Sequence, residues 1–282
     1  MAMAMAMVDW HEAVLTDRCR RWRLTDPVPV ADTPSSRVYR VSQADGEAAV
    51  LKLLKPIRWQ DERDGGALLS WYDGQGAARA IDYDREAHLI EHLPGRPLSA
   101  LVAEGYDAAA TEALCEIVAN LHAVRGAPPA LNSLAVWLPW LAQHSGDPLF
   151  RRLAGLAESL IGSTERAIPL HADLHHDNVL RGPRGWCAID PKGMIGCPAF
   201  DLSNSFKNPV GAPELVADLS RTERMAHRFA ERLGYPRARI LGWAAVYAGL
   251  SASWDLEDGD DPSWSLAAAV RALSALDRIG AA

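Results

Sequence analysis

The sequence predicts an α+β chain of two unequal parts, a small β-rich region over residues 1–93 and a larger, mostly helical region over 94–282. Three observations predict it. Period-2 apolar alternation is confined to the stretch between Pro27 and Leu93. Pro94-Gly95 then breaks the chain, and helical periods take over. The helical part is interrupted from Pro169 to Lys192 by PLHADLHHDNVLRGPRGWCAIDPK, where polar residues, a turn and a short strand crowd together.

Length and composition bound the problem. With 282 residues the chain has ample material for a core, as one large domain or two small ones. A net charge of -7 disfavours a nucleic-acid partner and suits a cationic small substrate. Cys19, Cys115, Cys187 and Cys197 are scattered with no C-x-x-C pair, which predicts reduced, buried thiols and a cytoplasmic location. No apolar run approaches the ~18 residues of a membrane span. The opening MAMAMAM has neither the basic flank nor the long apolar core of a signal peptide. No feature calls for an obligate protein partner.

In the first part, Asp9 to Leu24 predicts a helix across the back of the sheet. Val28–Val30, Val38–Val41 and Ala48–Leu54 predict strands, the last two joined by the turn Ala44-Asp45-Gly46. In the last strand Val50 and Lys52 share one face, and Leu51 and Leu53 the other. A lysine inside a buried strand needs a partner, unless it snorkels from an edge. Glu62, in Gln60-Asp61-Glu62-Arg63-Asp64 at the start of a helix reaching Trp71, is the expected partner, with Asp64 as the second candidate. Gly65-Gly66 weakens that helix. Ala80–Tyr83 and Ala87–Leu93 complete the strands.

Beyond Pro94, Asp107 is the expected N-cap of a helix to Val124, followed by helical patterns at Trp137–Gln143 and Phe150–Ile161. Asp201 either caps a short helix or braces the preceding loop through its amides. Leu215–Leu233, Ile240–Ser253 and Leu266–Ile279 read as amphipathic helices. The acidic run between the last two, Trp254 to Asp261, reads as a loop. It is either a solvated stretch or, with Trp254 beside Asp255, Glu257 and Asp258, a seat for a guanidinium-bearing ligand.

The central stretch carries the chemistry. Asp173, Asn178 and Asp190 are brought together by a loop and a hairpin, without a helix. Phosphoryl transfer wants such a set, a carboxylate for the attacking hydroxyl's proton and hard oxygens for Mg²⁺ at nucleotide phosphates. H-x-D-x-x-x-x-N followed by a strand ending in Asp has the spacing of the kinase catalytic loop and its metal-binding Asp. Asp173 is then the base, and Asn178 and Asp190 the metal ligands. Lys52 holds phosphate with Val50 over the base. Ser35 and Ser36 offer their hydroxyls and N–H groups to the phosphates, or form a plain turn. The carbonyl of Glu91 and the N–H of Leu93 face adenine with Ile90 behind the ring. His171 and the adjacent His175 and His176 stand on a loop, which does not give the helical i, i+4 pair of a zinc site.

On ADTPSSRVYRV, VLKLLKP, QDERDGGALLSWYDGQGA, LIEHLPG, LHADLHHDNVL, RGWCAIDPKG and GLSASWDLEDG, taken in order, the chain resembles the aminoglycoside phosphotransferases of the protein-kinase-like superfamily. The streptomycin 6-phosphotransferase branch is the nearest. The resemblance runs from Pro27 to the last helix. It implies a two-lobed fold, ATP and Mg²⁺ as cofactors, and phosphorylation of the 6-hydroxyl of streptomycin. Asp173 would be the base, Asn178 and Asp190 the Mg²⁺ ligands, and Lys52 a phosphate contact paired with Glu62. Ala172 stands where relatives often carry Gly, a slight restriction of the loop. Lys192 adds a cation near the metal acid that contacts phosphate or serves another role. A kinase of hydroxyurea or an amino sugar, and a non-catalytic nucleotide-binding module, are the other readings.

Overall fold

The computed structural model describes residues 2–56 and 62–280, and its first layer is an antiparallel sheet backed by a helix. Helix α1 (Ala2–Arg21) leads into β1 (Thr25–Asp32), β2 (Ser36–Ser42) and β3 (Ala48–Leu54). Helix α2 (Gly65–Tyr72), β4 (Ala80–Tyr83) and β5 (Ala87–Glu91) follow, and the sheet order is β1-β2-β3-β5-β4. Strand β1 is exposed throughout, carries Pro27 and Pro29, and pairs with β2 through bulges, as befits an edge. Gln60 and Asp61 of the expected helix start lie outside the described residues.

The alternation in β3 divides the packing as expected. Leu51 and Leu53 join Val14 of α1, Tyr39, Val41 and Leu89 in one apolar cluster. Val50, Ile90, Leu68, Leu69 and Tyr72 pack instead with the helical part. Strand β5 stops at Glu91 rather than Leu93. Leu93 is buried against the hairpin of residues 179–188, and the N–H of Gly95 donates to the Arg181 carbonyl at 2.9 Å. There the chain runs so close to that hairpin that a Cβ on Gly95 would overlap Arg181.

The helical part contains α3 (Leu98–Ala103), α4 (Asp107–Ala123), β6 (Asn132–Ser133), α5 (Leu138–Ala142) and α6 (Pro148–Gly162). Then come β7 (Ile168–Leu170), β8 (Val179–Gly182), β9 (Gly185–Ala188) and β10 (Met194–Gly196). It closes with α7 (Pro213–Ala217), α8 (Leu219–Leu233), α9 (Arg237–Asp258) and α10 (Ser263–Gly280). Strands β8 and β9 form a hairpin, and β10 lies between β6 and β7. None of the helices among the described residues is long and apolar enough to cross a membrane.

Four helix expectations change. Every residue from Ile240 to Ser253 is buried, so α9 is the central helix of the bundle, apolar on all faces rather than amphipathic. Gly249 permits its crossing with α6, because a Cβ there would lie 2.5 Å from Leu153 Cδ1. Helix α9 also runs on through Trp254–Asp258 to a left-handed Gly259, so the acidic run begins as helix, not as a loop. The stretch 215–233 is two helices because Asp218 breaks it, accepting from the N–H groups of Ser220 at 2.8 Å and Arg221 at 3.1 Å.

Asp107 is the first residue of α4 and not its N-cap. Its carboxylate is drawn instead to the guanidinium of Arg221, Nη2 to Oδ1 at 2.8 Å and Nε to Oδ2 at 3.0 Å. Arg221 is 2% exposed and also donates to the Asn208 carbonyl. Such a guanidinium is tolerated only while its charge is matched. Asp107→Ala should destabilise the protein by about 3 kcal/mol, the cost of a buried charge left alone. Urea unfolding measures it, and an unchanged midpoint would contradict this role.

Candidate active site

The loop between β7 and β8 is held from beneath by one buried carboxylate. Asp201 lies within a 3-10 segment, Pro198–Lys207, and caps nothing. Its Oδ1 accepts the N–H of Ala172 at 2.8 Å and its Oδ2 the N–H of His171 at 3.2 Å, so it braces the loop. His122 Nε2 lies 2.9 Å from the same Oδ2, and its Nδ1 2.9 Å from the Tyr235 hydroxyl. Ala172 has φ +65°, a left-handed conformation costing about 1–2 kcal/mol outside glycine. The alanine therefore restricts the loop more than its small side chain suggests.

His171 is fully buried and joins the loop to the hairpin's far end. Its Nε2–H donates to the Ile189 carbonyl at 2.8 Å and its Nδ1 accepts the N–H of Asp173 at 3.3 Å, which fixes a neutral tautomer. Burial lowers its pKa and favours the same form. The role is structural, and among the described residues no group of three or more histidine, cysteine and carboxylate side chains is placed to hold a metal ion.

Asp173 Oδ1 accepts from Asn204 Nδ2 at 2.9 Å and from the Tyr247 hydroxyl at 2.8 Å. Burial pushes its pKa up most strongly. Lys192, His175, the Tyr247 hydroxyl and His171 together outweigh that push, so the carboxyl sits below its ordinary value and is ionised at neutral pH. Asn178 ends a single 3-10 turn, His176–Asn178, where no helix was expected. Its Nδ2 donates to the Asp173 carbonyl at 3.0 Å, so its amide oxygen is the atom that could hold a metal ion. The N–H of Ile189 donates to the Asn178 carbonyl at 2.9 Å, bringing Asp190 alongside. Asp190 itself is left-handed, φ +57°. One carboxylate and one amide oxygen, with no sulfur or imidazole, are the hard donors that Mg²⁺ takes beside phosphate oxygens and water.

Lys52 crosses from the sheet to this set. Its Nζ lies 2.7 Å from Glu62 Oε2 and 3.0 Å from Asp190 Oδ1, and the residue is 4% exposed. Burial works against its charge, but Asp190 and Glu62 prevail and raise its pKa. Glu62 comes from the turn ahead of α2 rather than from the helix, and Asp64 is not the partner. Gly65-Gly66 is there for closeness. A Cβ on Gly65 would overlap the Pro191 carbonyl oxygen, and one on Gly66 would lie 2.6 Å from Tyr83 Cβ. The Ser35 hydroxyl donates to Glu62 Oε1 at 2.8 Å. Ser36 is buried and its hydroxyl lies 2.9 Å from that of Thr33.

At the expected hinge, Val50 is half-buried against the helical core, Ile90 and Leu93 are buried, and the Glu91 carboxylate holds Arg184 and the N–H of Arg79. On the acceptor side Trp254 is half-buried and Asp255 Oδ2 accepts from the Ser265 hydroxyl at 2.8 Å. Glu257 and Asp258 are exposed at the end of α9. The sequence reading missed Asn204, Tyr247 and His171 as holders of Asp173. Asn204, three residues after Asp201, had a faint signal in that polar run. Tyr247 had none, since it sits in a helix buried on every side.

A β-sheet region, a helical region and a loop-and-hairpin site joined by a buried lysine define a two-lobed, protein-kinase-like protein. The chain belongs to the aminoglycoside/hydroxyurea antibiotic resistance kinase family, whose model matches residues 21–259. It is 38% identical over 250 residues to the streptomycin 3''-kinase of Klebsiella pneumoniae, covering 85% of this chain and 91% of that one. It is 34% identical over 264 residues to the streptomycin 6-kinase of Streptomyces griseus, covering 87% and 83%. A solved structure of aminoglycoside phosphotransferase APH(4)-Ia in ternary complex with ADP and hygromycin B shares the fold, with TM-score 0.63, 15% identity and coverage of 95% and 98%.

Two expectations follow from this geometry. Gly65→Ala should cut turnover about a hundredfold, because an ångström-scale shift of Pro191 displaces Asp190 from Lys52. Turnover near that of the unaltered protein would contradict the close-approach argument. The second concerns pH. Burial, then Lys52, lowers the His88 pKa to about 4, and burial, then Arg221, lowers that of His176 to about 3. Both stay neutral when folded, while unfolding restores a value near 6.5. Their stabilisation is complete above that value and is lost as pH falls towards the folded values. Neither ring nitrogen of His176 has a partner among the described residues, so an apolar substitute should be tolerated. His176→Leu should therefore gain thermal stability relative to the unaltered protein as pH falls from 7 to 5. A constant gap in melting temperature would sink the assignment.

Proposed function

We propose that this protein transfers the γ-phosphoryl group of ATP, with Mg²⁺, to a hydroxyl of streptomycin, and that the acceptor is the 6-hydroxyl. The observation that carries the reading is the line Glu62–Lys52–Asp190, with Asn178 and Asp173 joined to it through the loop and hairpin. Each has the chemistry that phosphoryl transfer needs at its place. The family and both streptomycin kinases support the acceptor class.

Lys52, fixed by Glu62, contacts the nucleotide phosphates. Asn178 Oδ1 and the Asp190 carboxylate would hold Mg²⁺, which when bound neutralises charge on the phosphates. Asp173, its plane set by Asn204 and Tyr247, orients the acceptor hydroxyl and takes its proton. The acceptor oxygen forms the new bond to the γ-phosphorus, the bridging oxygen–γ-phosphorus bond breaks, and ADP leaves. A carboxyl below its ordinary pKa is a weak base, so positioning rather than basicity supplies most of the rate.

A second acceptor position has an observation behind it, the 38% identity to a 3''-kinase. Hydroxyurea is a second acceptor class, named with the family. A coupled ADP-release assay with streptomycin, kanamycin-type aminoglycosides, hydroxyurea and amino sugars tests the acceptor, and ³¹P–¹H NMR of the product tests the position. Streptomycin-dependent turnover should fall by about three orders of magnitude in Asp173→Ala with ATP still bound. Asp190→Ala should abolish the Mg²⁺ dependence of nucleotide binding. Near-normal turnover without Asp173 would overturn the mechanism, and turnover with hydroxyurea alone would overturn the acceptor.

A further inference from the structure

Beside Asp173 lies an aromatic corner that phosphoryl transfer itself does not require. Trp137, closing the 3-10 turn Leu134–Trp137, meets Trp254 of α9 edge to face, with ring centroids 5.4 Å apart and planes at 82°. Tyr247 sets its ring against Trp254 at 6.1 Å and its hydroxyl on Asp173. Phe200 backs both Trp137, at 5.8 Å, and Tyr247, at 5.7 Å. The corner is therefore rigid, and one residue, Tyr247, spans it and the catalytic carboxylate.

A cation already lies there. Lys192 Nζ is 4.9 Å from the centroid of Trp254 and 5.7 Å from that of Trp137. Its backbone N–H is held by the His171 carbonyl at 2.9 Å, so the side chain swings from a fixed base between the catalytic loop and Asp190. Two indole faces attract a cation by their quadrupoles. A guanidinium suits them better than an ammonium, being planar, delocalised and less strongly hydrated. The ammonium, a compact point charge, suits phosphate oxygens well. The acidic run competes poorly for the recognition role, since Asp255 is engaged by Ser265 and the next two carboxylates are exposed at the helix end.

We propose that the Trp137–Trp254 corner is the seat for the acceptor's cationic group, and that Lys192 is its resident occupant, displaced when a guanidinium-bearing acceptor arrives. The proposal rests on the reading of the protein as a kinase of such an acceptor. Displacement frees the Lys192 ammonium for the phosphates beside Asp190, where it stabilises the charge of the transferring group. The cation is thus delivered when an acceptor is seated, and a phosphoryl transfer to water lacks it.

Lys192→Met, Trp254→Leu and Trp254→Phe test this by two measurements. One is ligand-observed NMR titration of methylguanidinium without nucleotide, and the other is steady-state kinetics with streptomycin and with uncharged hydroxyurea. Lys192→Met removes the competitor, so methylguanidinium should bind several-fold tighter and the streptomycin KM should fall. Its kcat should fall about tenfold with the lost phosphate contact. Trp254→Leu should raise the streptomycin KM about tenfold relative to the hydroxyurea KM, with Trp254→Phe intermediate because a ring remains. Unchanged or weaker methylguanidinium binding in Lys192→Met overturns the seat. Absence of streptomycin turnover in the unaltered protein overturns the proposed function instead, and the methylguanidinium titration decides the seat independently.

Discussion

The buried ammonium of Lys52 is the constraint around which the two lobes are arranged. A lysine at 4% exposure on a central strand is strongly disfavoured unless matched by charge. Its two carboxylates come from different places, Glu62 from the turn before α2 and Asp190 from the end of the β8–β9 hairpin. Meeting both forces the sheet, the short helix and the catalytic hairpin into one arrangement. The glycines at the start of α2 follow from the same requirement. Glycine is a poor helix former, and in return the turn comes within contact of Pro191.

The second requirement is a rigid base beneath the loop. Asp201 has its two oxygens shared among two backbone N–H groups and His122, and His171 ties the loop forward to Ile189. These bonds hold Ala172 and Asp190 at positive φ, conformations their side chains resist. Strain on both sides of the site, at the loop and at the hairpin end, keeps Asp173, Asn178 and Asp190 on fixed bearings. The Asp173 carboxylate is oriented by Asn204 and Tyr247 from the same helical part that carries the loop, whereas the small lobe brings Lys52 and Glu62 to Asp190.

The sequence revealed the parts whose chemistry is local. Lys52 in an apolar strand, the spacing from Asp173 to Asn178 and an acid ending a short strand each signal themselves within a few residues. The Lys52–Glu62 pairing was legible because Glu62 stands in the acid-rich segment that follows the strand. Illegible were the interactions that depend on distant segments meeting. Ser36 looks like Ser35 in sequence, yet its hydroxyl meets Thr33 while that of Ser35 donates to Glu62. Asp107 has the residue type of an N-cap, but a bidentate guanidinium more than a hundred residues away takes its carboxylate. The acidic run looked like a loop because its composition is polar, whereas α9 continues through it on the packing of its preceding turns.

The division between legible and illegible follows the division of labour in the site. Phosphate and metal chemistry is written in short motifs on a loop and a hairpin, with spacing fixed by backbone bonds. On the proposed reading, acceptor recognition is built from side chains that meet only in the folded bundle, Trp137 from a turn, Trp254 and Tyr247 from α9, and Lys192 from behind the hairpin. Such a corner changes by single substitutions that leave every backbone bond of the catalytic loop in place. The same phosphoryl-transfer geometry can therefore serve a dicationic antibiotic, another of its hydroxyls, or a small neutral molecule. What must change is the surface facing Asp173, which Trp137 and Tyr247 reach from outside the motifs of the family resemblance and Lys192 and Trp254 from within two of them.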